Sequence, residues 1–240
     1  MRRVIRGAWG PREESTEALA GRWKLTLNRL AELLPAAGSG SGAGDMWTWK
    51  HVRPSGPAAD LRPDEDTLRS ALQEAEAAND WSDRTGVGIP LVIAGEPGWK
   101  VSMSGRAGGL PEFLLQTMTI AVESPEGVDV PDVELLTLVA ELWEPDFGDV
   151  SNDDVLDALE DDAGFAPDEP SVGWVGYLSP ARAALLPDSF TATRKVLPGG
   201  GILLNIAAPG NTDDVLRANE QLREAGALQP LPHPMERATL

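Results

Sequence analysis

The chain of 240 residues carries 38 Asp and Glu against 20 Lys and Arg, a formal charge of −18, and no cysteine. With 42% apolar residues and eight Trp it can build a core, burying about 70–75% of its unfolded surface, and wholesale disorder is excluded. The missing cysteine also excludes a disulfide scaffold, thiol catalysis and Cys-ligated metals, and only His51 and His233 are left for imidazole chemistry.

Taken in chain order, residues 3–9 read as a strand ended by Gly10-Pro11. A helix follows over about 14–34, where Leu19, Trp23, Leu27, Leu30 and Leu34 recur at helical spacing. Gly38 to Gly44 is a flexible Gly/Ser loop without the Gly-Lys-Ser/Thr ending of a phosphate-binding loop. Met46–Val52 reads as a strand with Trp47 and Trp49 on one face, and the Pro-rich stretch 54–63 leads into a helix at about 64–78. Strands at 87–94, 99–105 and 113–123 are joined by turns short enough for an antiparallel meander. A largely apolar helix over 131–143 opens with Pro131 and leaves a narrow acidic edge. Phe147–Val150 forms a short strand, and Ser151 caps a helix over about 152–161. Strands at 171–178, 190–197 and 201–207 precede a last helix at about 211–225, with Gly226 as its stop. The segments 87–143 and 171–226 echo each other in element order.

This order predicts an α+β fold, a mainly antiparallel sheet packed with about five helices, in one domain over 1–228. The segment 229–240, with Pro230, Pro232 and Pro234, reads as a loosely ordered tail. No run of about 18 apolar residues occurs, so no membrane span is expected. Arg6 interrupts the opening apolar run, which argues against a secretory leader and for a reducing, cytoplasmic location.

Charge placement says more than total charge. No Lys or Arg lies between Arg106 and Arg182, and residues 107–181 hold 18 acids, leaving 20 acids to balance the 20 bases elsewhere. Acid-rich surfaces serve solubility, yet a solvated face usually mixes both signs. A one-signed field repels nucleic acid and anionic lipid, attracts a basic protein and raises association rates.

No nucleophile elbow, His-Glu-x-x-His or dinucleotide fingerprint is present. Asp149, Ser151, Asp153 and Glu160 match four positions of a calcium loop, but Asp154 stands where the turn needs Gly and the segment reads as helix. Trp23 and Trp143 fit apolar helix faces. Trp9, Trp47, Trp49, Trp81, Trp99 and Trp174 lie near strand or loop ends, where one or two can serve a partner surface.

Three segments carry a resemblance. Gly7-Ala8-Trp9-Gly10-Pro11-Arg12 ahead of an amphipathic helix, Glu141-Leu142-Trp143-Glu144-Pro145-Asp146, and Gly173-Trp174-Val175-Gly176-Tyr177-Leu178-Ser179 together resemble the immunity protein 52 family. The resemblance implies a cytoplasmic antidote of a bacterial polymorphic-toxin system, paired with a nuclease toxin and without enzymatic activity or cofactor. The charge pattern points the same way, because a nuclease presents a basic cleft that an acidic face can occupy. The docking field expected is Glu134, Glu141 and Glu144 on one helix with Asp146, Asp149, Asp153, Asp154, Asp157, Glu160, Asp161 and Asp162 beyond it, and Trp143 or Trp174 as aromatic anchor. The partner expected is a basic toxin domain, with no nucleic acid or membrane bound directly. Two readings compete: a carboxylate hydrolase, possibly cation-dependent, with converging acids in a deep pocket, and a general acidic scaffold without one cognate partner.

Overall fold

Strand β1 (Arg2–Trp9) sits near the middle of a ten-stranded sheet and organises everything around it. The computed structural model describes residues 1–34, 37, 48–53, 57–94, 98–166 and 169–240. The further strands are β2 (Trp49–His51), β3 (Ala59–Leu61), β4 (Leu91–Ala94), β5 (Lys100–Arg106), β6 (Gln116–Glu123), β7 (Phe147–Ser151), β8 (Val175–Leu178), β9 (Thr193–Val196) and β10 (Ile202–Asn205). They lie in the order β3-β2-β4-β5-β6-β1-β7-β8-β10-β9, every pairing antiparallel. Seven helices are described: α1 (Thr16–Leu33), α2 (Glu65–Ala77), α3 (Ser82–Thr85), α4 (Asp132–Trp143), α5 (Asp153–Asp161), α6 (Pro180–Ala183) and α7 (Thr212–Glu224). The molecule is therefore α+β as the sequence predicts, with two more helices than expected, both of four residues.

Side chains alternate along a strand, so Arg3, Ile5, Gly7 and Trp9 share one face of β1 and Arg2, Val4, Arg6 and Ala8 the other. On the first face lies α4. A Cβ on Gly7 would stand 2.7 Å from Val139 Cγ1 of α4, so a bare backbone is what lets helix and sheet approach. Trp9 stacks on Trp143 of α4 at 5.9 Å, and Trp23 of α1 meets Trp143 edge-on at 5.9 Å. On the second face, Arg2 reaches Asp153 at the start of α5, and α7 packs beside α5.

Several boundaries move for local reasons. Pro131 is the cap of α4 rather than its first turn. Ser151 belongs to β7, and Asn152 takes the capping role, its Oδ1 accepting from Val155 N–H at 3.0 Å. The strand expected at 171–178 is reduced to β8, and β10 rather than β9 pairs with it, so the echo between 87–143 and 171–226 does not extend to the pairing order. The Pro-rich 54–63 stretch contains β3. The Gly/Ser loop at 38–44 lies outside the described residues, as do Met46 and Trp47 of the expected strand.

The largest correction is the C-terminal segment. It is packed, with Leu231 and Met235 buried, Gly10 N–H donating to Ala238 O at 2.8 Å and Met235 N–H to Glu112 O at 2.8 Å. Prolines restrict the unfolded chain and so lower the entropic cost of ordering this segment, and two apolar side chains anchor it.

Candidate partner-binding surface

The amphipathic helix α5 is short and one-sidedly apolar: Val155 and Leu159, four residues apart, are buried. Every other turn position that carries charge carries an acid. Asp153, Asp154, Asp157, Glu160, Asp161 and the capping Asp162 are all exposed. Asp153 and Asp154 complement the positive end of the helix, whereas Glu160, Asp161 and Asp162 crowd its negative end. Among the described residues Asp153 alone of these six has a cationic partner, Arg2. The neighbouring α7 adds exposed Asp213, Glu220 and Glu224. Arg223 of α7 is engaged elsewhere, by Glu169 at 3.2 Å and by the ring of Phe165.

The rest of the expected docking field does not join this helix. Glu134, Glu141 and Glu144 are exposed, but α4 lies on the opposite face of the sheet. Glu144 is also held by arginines. It ends α4 in a left-handed conformation, φ 45°, and pairs with Arg22 at 3.4 Å. Arg12 donates to the Trp143 carbonyl at 2.7 Å and to that of Glu144 at 3.3 Å, and Arg22 donates to the Leu142 carbonyl. Glu14 fixes both guanidiniums, at 2.8 and 2.7 Å. Burial lowers the Arg12 pKa, and Glu14 opposes that.

Asp146 and Asp149 are interior groups, which corrects their assignment to a docking surface. Asp146 Oδ2 accepts from Arg182 Nε at 2.8 Å, and its Oδ1 accepts from Ser179 Oγ at 2.9 Å and Leu240 N–H at 3.0 Å. Arg182 also donates to the carbonyls of Ala227 at 2.7 Å and Gln229 at 2.9 Å. Asp149 Oδ1 accepts from Arg6 Nε at 2.8 Å on the second face of the sheet. With Asp149 in a strand and Asp153 and Glu160 in a helix, the calcium-loop match does not wrap a common point. Among the described residues no group of three or more His, Asp or Glu is placed to hold a metal.

Trp143 and Trp174 are likewise inside, so neither is the exposed anchor. Trp143 Nε1 donates to Thr26 Oγ1 at 3.0 Å and Trp174 Nε1 to Asp132 Oδ2 at 2.9 Å. Burial pushes the Asp132 carboxyl up, against the bond from Trp174 and the charge of Arg3, whose Nε lies 2.9 Å away. Burial, with Glu144 and Asp146 nearby, pushes the Tyr177 phenol up to about 12, so it stays neutral. The three segments behind the family resemblance thus meet in one place, stacked and hydrogen-bonded around Trp143 and Asp146. Their visible work is structural.

Among the described residues the exposed aromatics are different ones: Trp81 and Phe113, each 61% exposed. Trp81 was one of the tryptophans the sequence left open; Phe113 was hidden by being read as the start of a strand that begins at Gln116. Trp81 lines a groove of about 1130 Å³ together with His51, Arg53, Glu74 and Arg106. Converging acids, as the hydrolase reading expects, are not found there: Glu74 is the one carboxylate in its lining. Comparison with models of known protein families gives no match, and no curated protein matches the chain.

Proposed function

We propose that this protein is a binding protein of the immunity type, which neutralises a basic toxin domain by stoichiometric occlusion, with α5 as its docking element. The observation that carries this reading is the charge left uncompensated on α5: six exposed carboxylates and, among the described residues, one internal cationic partner. Acids at the C-terminal end of a helix oppose its dipole, each costing a few tenths of a kcal/mol. Such an arrangement is tolerated where an external cation supplies the missing partner. A nuclease cleft, built to hold phosphate, has that character, and electrostatic steering makes the encounter fast. Glu134, Glu141 and Glu144 fall outside the interface in this reading, because one flat partner face cannot touch both sides of the sheet. The resemblance to the immunity protein 52 family supports the same assignment and rests on the quoted segments.

The test is co-purification with the product of the neighbouring gene, then association kinetics at low and high salt. Reversing charge at Asp154, Asp157 and Asp161 is expected to slow association about tenfold or more at low salt and to flatten its salt dependence. Unchanged kinetics in that triple variant would place the interface elsewhere.

A further inference from the structure

The groove at the β2–β5 end of the sheet has a character opposite to the rest of the chain. It runs between the end of β2, the C-terminal turn of α2, the segment 85–90 and the end of β5. In a protein of net charge −18 its lining residues include two arginines, Arg53 and Arg106, with His51 and a single acid, Glu74. Glu74 approaches Arg53 at 3.8 Å, and Arg106 is exposed and forms no ion pair among the described residues. His51 is buried; desolvation and the charge of Arg53 lower its pKa, so it enters the groove neutral. Trp81, the most exposed of the described tryptophans, lines the same groove, and Arg84 sits 5.8 Å from its ring centroid.

We propose that this groove is a binding site for a small organic anion carrying a planar ring, a phosphate or carboxylate group meeting Arg106 while the ring stacks on Trp81. Guanidinium groups bind such anions through paired, charge-assisted hydrogen bonds. An indole face stacks on flat rings with little regard to their identity. Small-molecule sites combine an aromatic wall with a few placed polar groups, and here Trp81 and Arg106, which has no ion pair among the described residues, line one concavity. The site stands apart from α5 and does not depend on the partner-binding reading.

The experiment is calorimetric titration of the intact protein with AMP, adenosine, indole-3-acetate and inorganic phosphate. Saturable binding of AMP or indole-3-acetate is expected, with adenosine and phosphate each weaker. Arg106→Ala and Trp81→Ala, both surface changes, are each expected to weaken the better ligand about tenfold. The chain has only two histidines, so their ring resonances report location: His51 shifts on binding and His233 does not. No saturable binding of either anion overturns the proposal. So does binding that both variants leave unchanged, or that moves His233 instead. Phosphate alone binding as tightly as AMP removes the planar ring from it.

Discussion

Two neighbouring stretches of the same acidic run behave in opposite ways. In 145–151, Asp146 and Asp149 are driven into the interior and neutralised by Arg182 and Arg6. In 152–162, separated by no more than a helix cap, six acids stay in solvent with one partner between them. A strand that is buried on both faces forces its polar side chains to find partners, whereas an amphipathic helix can turn them outward. Counting charges along the chain treats both stretches alike, and only tertiary pairing separates them.

The sharpest way to break this contrast is Arg182→Ala. It strands the Asp146 carboxylate and the Ala227 carbonyl in a fully buried site, and a loss of about 3–5 kcal/mol in urea unfolding is expected. The double change Asp146→Leu with Arg182→Met is expected to recover only part of this, since Ala227 and Gln229 lose their donor.

Asp132→Asn sharpens the interior side through pH. The folded chain holds its proton on Asp132 at higher pH than the unfolded chain does. That preference stabilises the fold fully below the unfolded pKa and is lost as pH rises through the raised folded value. The stability of the native protein relative to the variant, measured by urea melts across the acid range, is therefore expected to fall as pH rises. Asn keeps an acceptor for the Trp174 indole. Glu144→Gly is a smaller test. Releasing a left-handed non-glycine residue is expected to stabilise by less than about 1 kcal/mol, offset by loss of the Arg22 contact. Smallest of all is the α5 triple charge reversal, whose thermal unfolding midpoint is expected to stay at the native value while association slows.

The elements were legible where periodicity is local. Leu19, Trp23, Leu27 and Leu30 announce α1, and the apolar density of 133–143 announces a buried α4. The α5 carboxylates were also legible as exposed acids, because Val155 and Leu159 fix which face turns inward. What could not be read was pairing at a distance. Asp146 and Arg182 are 36 residues apart and Arg6 and Asp149 are 143 apart. A faint signal existed in the arginines rather than the acids: Arg6 interrupts a central apolar strand, and Arg182 lies among alanines. β3 was masked by the prolines around it, and the groove was invisible because its residues come from four separate segments.

The position of β1 has a consequence for how the molecule assembles. Strands β2 to β6 come from residues 49–123 and β7 to β10 from 147–205, and the two groups pair with each other nowhere in the sheet. Eight residues at 2–9 are the seam between them, in register with β6 along their whole length and with β7 over five positions. Neither group can join the other within the sheet without that early ribbon, whose pairing with β6 and β7 closes loops of more than a hundred residues and so adds the sheet's most non-local contacts.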